Sequence, residues 1–142
     1  MMQLQKNILG FIKKHHLLAL STIHENSPYS CSCFYAFNNN DYEFVILSEL
    51  NTKHAQQALI NDNASGIIAL ETKLIGKIQG IQFTGKIYRI GESEISIYKN
   101  IYLKRFPFAI FADGDIWKIV PEYIKFTDNT LGFGKKIIWN RS

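Results

Sequence analysis

The side chains best suited to chemistry lie in LSELNTKHAQ, residues 47–56, where a strand-like pattern gives way to a helix-like one. Ser48 and Thr52 supply hydroxyl groups, and Lys53 and His54 supply donor or cationic groups within the first helical turn. Unpaired backbone N–H groups and the positive end of the helix dipole lie at the same position. Because cations are unfavourable there unless an anion is nearby, the stretch predicts an anion site. A plain helix cap with solvent-facing Lys53 and His54 is the alternative, and the sequence favours neither.

A second stretch, NTLGFGKK at residues 129–136, has the glycines and lysines of a phosphate-binding loop. A triphosphate loop needs the wider spacing G-x-x-x-x-G-K-[S/T] before a helix, whereas here isoleucine and a strand-like segment follow the second lysine. The dinucleotide pattern G-x-G-x-x-G also lacks its third glycine. We expect a turn in which Gly132 and Gly134 adopt positive φ, with Lys135 or Lys136 facing an anionic ligand. A hairpin with exposed lysines is the alternative.

Two cysteines, Cys31 and Cys33, are the remaining candidates. On a strand they point to the same face, where they are poor disulfide partners and too few for a zinc site. We expect them to be small packed residues or to line a site. His15, His16 and His24 lack a third ligand at suitable spacing, so no metal site is expected. No carboxylate pair or Ser-His-Asp arrangement indicates hydrolysis.

Length and composition set the broad class of the chain. Its 142 residues fit one domain, 1–142, and 46% hydrophobic residues suffice for a packed core. No run approaches the roughly 18 apolar residues that span a bilayer, and residues 1–16 lack a signal peptide's apolar centre. We therefore expect a cytoplasmic protein with no membrane partner. The net charge of +4 is scattered, so we expect no nucleic-acid partner, whereas a small anionic ligand suits this charge.

Periodic patterns predict the elements that position these groups. Leu4, Ile8, Phe11 and Ile12 share one helical face. Strands are predicted at 17–24, 29–37, 42–48, 64–71, within 76–90, and at 116–120, 123–126 and 137–139, with helices beginning at Asn51 or Thr52 and over 92–105. We expect the first three strands to form a β-meander, and Gly85 to mark a bend or bulge. Six or seven antiparallel strands with inserted helices indicate a small barrel.

Four segments carry a resemblance to known proteins: NTKHAQ (51–56), GIQFTGKI (80–87), KRFPFA (104–109) and IKFTDNTLGFGKKIIW (124–139). Together they resemble the small bacterial family typified by YhbP. The order of strands before S-x-x-x-T-K-H-A resembles the wider FMN-binding split-barrel, or pyridoxamine 5'-phosphate oxidase-like, superfamily. The resemblance covers nearly the whole chain. It implies a mainly β (α+β) fold with a six- to seven-stranded antiparallel split barrel, and FMN in a groove between two protomers of a homodimer.

The resemblance also assigns residues. Residues 47–54 match the stretch with which the oxidases bind the FMN phosphate, which gives that role to Ser48, Thr52, Lys53 and His54. The family's second strand follows the flavin ring and ribityl chain. The remaining implied cofactor contacts are Cys31, Ser32, Cys33 and Phe34 on this strand, Gln79 or Gln82 on the long central strand, Trp117, and Lys135 in a turn at the mouth of the groove. Trp117 is equally well explained as core filler.

Departures from the oxidase pattern limit what the resemblance implies. The oxidases have an arginine where this chain has Cys31, and their C-terminal tryptophan and R-L-H substrate signature are absent. Oxidation of pyridoxamine phosphate is therefore not expected. The expected function is FMN binding, with an FMN-dependent oxidoreductase of unknown substrate as one form of it. The alternatives are a flavin- or heme-binding module for storage or sensing, and a dimeric barrel that has lost its cofactor.

Overall fold

A single antiparallel sheet of eight strands with three helices forms the fold, and the computed structural model describes residues 1–142. In chain order the elements are α1 (Lys6–Lys14), β1 (Leu17–His24), β2 (Ser27–Phe34), β3 (Ala36–Asn38), β4 (Glu43–Ser48), α2 (Lys53–Ile60), β5 (Asn63–Ala69), β6 (Gln79–Arg89), α3 (Ile95–Arg105), β7 (Asp115–Asp128) and β8 (Lys136–Asn140). Short 3₁₀ turns lie at Ile75–Lys77, Pro107–Phe111 and Asn129–Leu131. The strand order is β2-β1-β5-β6-β7-β4-β3, with β8 also beside β7. The predicted split-barrel class is confirmed, with one or two more strands than expected.

The interior of the barrel holds the main hydrophobic core, a cluster of buried side chains from most strands. Alternation along the strands produces it, because every second side chain of a strand points inward. On β1, for example, Leu18 and Leu20 are fully buried. Helix α1 packs on the core through Ile8, Phe11 and Ile12, the face predicted from their spacing. Burying each of these side chains contributes roughly 1.5–3 kcal/mol.

The first three predicted strands do not form the expected β-meander. Strands β1 and β2 form a hairpin with a two-residue turn, in which Glu25 has a φ of 55°. The second predicted strand then divides at Tyr35, whose N–H donates to the His16 carbonyl at 3.0 Å. Its remainder, β3, pairs with β4 at the opposite end of the strand order from β2. The run YSCSCFYAF is β-forming throughout, so its division depends on a long-range bond that local patterns do not contain.

Strand β7 is continuous, where the sequence predicted two strands around Pro121. Its register with β6 shifts beside Gly85, which lies opposite Pro121, and Glu122 is the extra residue of a β-bulge. The bulge accommodates a proline that cannot donate to the ladder. A Cβ at position 85 would overlap the carbonyl oxygen of Val120. The bend predicted at Gly85 is therefore confirmed.

The helices differ in what they cover. Helix α2 packs mainly on β1, and α3 buries Tyr98 and Tyr102 in a smaller second core. None of the three helices has the length and apolar character needed to cross a membrane. One face of the sheet, formed by outward-pointing residues of β2, β1, β5 and β6, carries exposed Phe34, Leu17 and Ile67. We call this the outer sheet face.

Candidate functional site

Helix α2 begins where the sequence predicts, with Thr52 as its N-cap. Its hydroxyl accepts a hydrogen bond from the Ala55 N–H at 3.3 Å and donates to the Glu49 carbonyl at 2.8 Å. These bonds hold the chain in the extended conformation, φ −76° and ψ 153°, from which the helix starts. The N–H groups of Lys53 and His54, in the first turn, have no intrahelical partner. The start of α2 therefore presents backbone donors beside two basic side chains.

The histidine of this turn reaches back to the end of β4. His54 Nε2 lies 2.8 Å from Ser48 Oγ and 3.3 Å from Thr52 Oγ1. The ring thereby connects the last residue of the strand to the first turn of the helix. Trp117 supports this junction from behind, since its indole N–H donates to the Ser48 carbonyl at 3.2 Å while its side chain is 1% exposed. Burial favours the core interpretation of Trp117 over direct contact with a ligand.

The lysine of the turn lies over strand β2. Lys53 Nζ is 4.6 Å from the centroid of the Tyr29 ring, within cation–π range. Tyr29 is two residues before Cys31, so both side chains point to the same face of β2. Sequence reasoning missed Tyr29, although its spacing from the two cysteines could have placed it beside them. The contact positions the exposed Lys53 ammonium above the strand rather than in free solvent.

The two cysteines share the inner face of β2, as predicted. Cys31 and Cys33 pair across the strands with Leu20 and Leu18, both of which are buried, and both cysteines are free thiols. Hydrogen bonding with Cys33, and then hydrogen bonding and charge from His54, lower the pKa of Cys31 to about 5 against the opposing effect of burial. The hydrogen bond with Cys31 and burial raise the pKa of Cys33. Because α2 contacts β2 and Lys53 lies over Tyr29 on the same face as the cysteines, the thiol pair adjoins the start of α2.

These residues form one constellation, which we call the α2 cluster. Its members are Cys31, Cys33, Ser48, Thr52, Lys53 and His54. The cluster fits an anionic group in part, because it combines hydroxyls, two unpaired backbone N–H groups, a lysine and a histidine. Cys31 carries no positive charge, whereas the oxidases have an arginine at this position. Lys53 and His54 are therefore the only basic side chains of the cluster. Several hydroxyl bonds are already made within the cluster, so a ligand would have to share or replace them.

The other predicted cofactor contacts lie apart from the α2 cluster. Ser32 points to the opposite face of β2 from the cysteines and pairs with Ala19 on the outer sheet face. Cross-strand pairs continue this row from Ala19 to Ile67 and from Ile67 to the exposed Gln82. Ser32 and Gln82 thus share a row three strand steps long, roughly 14 Å. This separation could not be predicted from the sequence, which shows neighbours along the chain and not across the sheet.

Gln79 and Lys135 lie together at the far end of β6. Gln79 Nε2 donates to Asp128 Oδ1 at 3.2 Å, and the same oxygen accepts the Thr130 N–H at 2.9 Å. The Lys135 N–H donates to the Gly132 carbonyl at 2.9 Å, which closes the turn. Gln79 therefore stabilises the NTLGFGKK turn through Asp128, and the Lys135 side chain is exposed beside it.

The NTLGFGKK turn has the backbone predicted for it. Gly132 has a φ of 140° and Gly134 a φ of 73°, values that favour glycine. Asn129 fixes the turn, since its Nδ2 donates to the Ile75 carbonyl at 2.8 Å and its Oδ1 accepts the Gly134 N–H at 3.0 Å. The turn connects β7 to β8, as the hairpin alternative states. Within one protomer the turn and the α2 cluster lie at opposite ends of β7, since Ser48 pairs with Asp115 and Lys136 pairs with Thr127.

A large cleft lies apart from the α2 cluster. It has a volume of about 600 Å³ and lies at the other end of α2, where Leu59, Ile60 and Tyr88 line it with His24 and Arg89. No group of three or more His, Cys, Asp or Glu side chains is placed to hold a metal ion. The α2 cluster is therefore an open surface, and a ligand there would need a second surface to enclose it.

Comparison with known sequences decides the family. No family model matches the chain. A UPF0306 protein of Photorhabdus laumondii is 37% identical over 131 residues, which cover 92% of this chain and 92% of the relative. The UPF0306 protein YhbP of Escherichia coli O157:H7 is 37% identical over 134 residues, 94% of this chain and 91% of its own length. The chain belongs to the UPF0306 (YhbP) family. The family resemblance drawn from its motifs is thereby confirmed.

Solved structures similar to this UPF0306 chain show the fold. A heme-binding protein from Mycobacterium smegmatis superposes with a TM-score of 0.76 at 14% identity, over 92% of this chain and 55% of that one. A candidate pyridoxamine 5'-phosphate oxidase from Listeria innocua has a TM-score of 0.69 at 14% identity, over 84% and 94%. The heme storage protein HutZ from Vibrio cholerae has a TM-score of 0.64 at 16% identity, over 85% and 92%. These proteins share the pyridoxamine 5'-phosphate oxidase-like split barrel.

Proposed function

We propose that this UPF0306 protein binds FMN, with the FMN phosphate held by the α2 cluster. The observation that carries the proposal is the convergence of Ser48, Thr52 and His54 with two unpaired backbone N–H groups at the start of α2. Lys53, held over Tyr29, adds the positive charge that a phosphate dianion requires. Support also comes from the split-barrel neighbours, whose names include a FAD-binding protein from Mesorhizobium loti, a heme-binding protein and a heme storage protein.

A second copy of the chain would complete the cofactor groove. The α2 cluster is open, and the outer sheet face exposes apolar side chains. Ile67 is 46% exposed and Phe34 is 52% exposed on this face. Ser32 and Gln82, which lie apart from the cluster within one protomer, would then contact the cofactor from such a shared groove. The proposal therefore includes a homodimer and a cytoplasmic location for the protein.

The proposed activity is oxidation or reduction of a substrate that these residues do not identify. When bound, a flavin supplies hydride and electron transfer. Ser48 and Thr52 would orient the phosphate through their hydroxyls, and Lys53 and His54 would neutralise its charge. Because the R-L-H signature of the oxidases is absent, pyridoxamine phosphate is not the substrate that we propose.

Heme binding is the second candidate. Two of the similar structures are named as a heme-binding and a heme storage protein. The α2 cluster contains an imidazole, His54, which is partly exposed, and imidazole is a common axial ligand of heme iron. A heme would also present carboxylates to the same basic groups.

A spectroscopic titration tests the proposal. The purified full-length chain is titrated separately with FMN and with hemin, and absorbance near 450 nm, roughly where flavin absorbs, is followed alongside the heme bands. We expect saturable FMN binding, and loss of the oxidised flavin spectrum when NADH or NADPH is added without oxygen. An oxidised spectrum that persists would assign a binding module rather than an oxidoreductase. Saturation by hemin with no response to FMN would replace the FMN proposal with heme binding.

A further inference from the structure

One cleft of the chain is lined by positive side chains and by no negative ones. It has a volume of about 500 Å³ and lies where helices α1 and α3 end beside strand β3. None of the chain's four ion pairs includes a basic residue of its wall. We call it the basic cleft. The polar residues that line it are Lys13, Lys104, Arg105 and the asparagines at residues 38–40.

Helix polarity explains part of this arrangement. Lys13 belongs to the last turn of α1, and Lys104 and Arg105 belong to the last turn of α3. Basic side chains at these positions stabilise the negative end of a helix dipole. Each helix gains this stabilisation on its own, so helix polarity does not account for three like charges around one space.

The guanidinium of Arg105 is held in place by backbone carbonyls. Its Nη1 donates to the Tyr35 carbonyl at 3.1 Å, and its Nη2 donates to the carbonyls of Lys13, at 3.3 Å, and His15. These bonds use three of its five N–H donors and leave two for a ligand. A fixed cation with free donors loses little conformational freedom when it binds an anion.

The carbonyl groups at the end of α1 are satisfied from within the chain. Phe11 accepts from the His15 N–H at 3.2 Å. Ile12 accepts from the Tyr35 hydroxyl at 2.7 Å, and the Lys13 carbonyl accepts from the guanidinium. Free carbonyls at a helix C-terminus repel anions, whereas these carbonyls are covered by donors. The end of α1 therefore does not oppose an anion in the basic cleft.

The asparagines after β3 add neutral donors. Asn38 is buried, and its side-chain Nδ2 donates to Asp41 and Glu43 at 3.1 and 3.0 Å. Its Oδ1 accepts the Asn40 N–H at 3.1 Å, which fixes the turn. Neither carboxylate lines the cleft, whereas Asn39 and Asn40 do and are exposed. Their amide groups can donate to an anion.

We propose that the basic cleft binds a ligand that carries two linked phosphate groups. Its volume falls within the range of small-molecule sites, about 300–1,000 Å³. A single phosphate carries roughly two negative charges, so three basic groups favour a diphosphate. Arginine can bind phosphate through two parallel N–H groups, and lysine binds it as a point charge. The cleft shares no residue with the α2 cluster, so the inference does not rest on FMN binding.

Calorimetric titration of the full-length chain with inorganic pyrophosphate tests this site. At low salt we expect saturable binding at least about tenfold tighter than that of orthophosphate. Lys13→Ala and Lys104→Ala should each weaken pyrophosphate binding on the order of tenfold. Lys99→Ala is the matched control, because Lys99 is an exposed lysine of α3 outside the cleft, and its binding should equal that of the wild type. All three lysines are exposed, so none of these substitutions removes a core contact.

The variant Lys53→Ala separates the basic cleft from the α2 cluster. Pyrophosphate binding that persists in Lys53→Ala and is weakened by Lys104→Ala assigns the anion to the basic cleft, whether or not the chain binds FMN. Binding that is lost in Lys53→Ala and unaffected by Lys13→Ala and Lys104→Ala would overturn the proposal. Equal affinity for orthophosphate would overturn it as well.

A parallel titration with ADP distinguishes the sources of the diphosphate. Tighter binding of ADP than of pyrophosphate assigns a nucleotide, whose organic part would lie against Phe37 in the wall of the cleft. Equal or weaker binding of ADP assigns the free anion. The absence of saturable binding of either probe would refute the site.

Discussion

At the scale of single residues, His15 shows how burial sets a charge state. Its Nε2 is buried without a hydrogen-bond partner, and its ring centroid lies 4.2 Å from that of Phe11. Burial, followed by the positive charges of Lys14, His16 and Arg105, lowers the pKa of His15 below its ordinary value of 6.5. The folded state therefore holds this ring neutral over a pH range in which the unfolded chain protonates it.

The pH dependence of stability should reveal this residue. Because the pKa of His15 is lowered on folding, its favourable contribution is present above pH 6.5 and is lost as the pH falls below that value. We expect the free energy of unfolding in urea to fall more between pH 7.5 and pH 5.5 for the wild type than for His15→Leu. The control His24→Gln, at an exposed histidine, should behave as the wild type. Identical pH dependence in wild type and His15→Leu would contradict this reading.

At the scale of elements, the bulge between β6 and β7 is the feature most sensitive to substitution. Gly85→Ala introduces a methyl group that overlaps the Val120 carbonyl, so we expect a loss of about 1–3 kcal/mol in the free energy of unfolding. Gly10→Ala is the matched control, because nothing lies within 4 Å of its new Cβ. Within helix α1 it should stabilise by about 0.5–1 kcal/mol. Equal effects of the two substitutions, measured by urea unfolding, would show that the bulge is not constrained in this way.

Some features of the elements could be predicted from the sequence, and others could not. Helix α2 was predictable, because Thr52 is a good N-cap and its hydroxyl makes the expected bond. The bend at Gly85 was predictable from a glycine inside a strand. The division at Tyr35 and the continuity of β7 through Pro121 were not, because each depends on a partner distant in sequence: the His16 carbonyl in one case and the bulged register with β6 in the other.

The candidate site also has one part that could be predicted from the sequence and another part that could not. Ser48, Thr52, Lys53 and His54 lie within seven residues of one another, and their grouping follows from one strand end and one helix start. The contribution of Cys31 to that group depends on the packing of α2 against β2, which no local pattern encodes. Ser32 and Cys31 are adjacent in sequence yet lie on opposite faces of β2, because side chains alternate along a strand. Assigning the whole segment to the cofactor overlooks this alternation.

At the scale of the whole molecule, the outer sheet face leads to a prediction about assembly. If two copies pack through this face, a charge at its centre should separate them, since a stable interface buries roughly 800 Å² per partner and tolerates unpaired charge poorly. We expect the wild type to sediment as a dimer and Ile67→Lys to shift toward monomer. Ile60→Lys, at a 73% exposed position on α2, is the matched control and should remain dimeric. A monomeric wild type would refute the shared groove.

The central claim is that the α2 cluster binds the phosphate of a flavin. The direct measurement compares the affinity of the full-length chain for FMN with its affinity for riboflavin, which lacks the phosphate. We expect FMN to bind at least about tenfold more tightly. Lys53→Ala should weaken FMN binding by about 1–3 kcal/mol and leave riboflavin binding unchanged, while Lys73→Ala, an exposed lysine outside the cluster, should change neither. Equal affinities for FMN and riboflavin, with no effect of Lys53→Ala, would contradict the account.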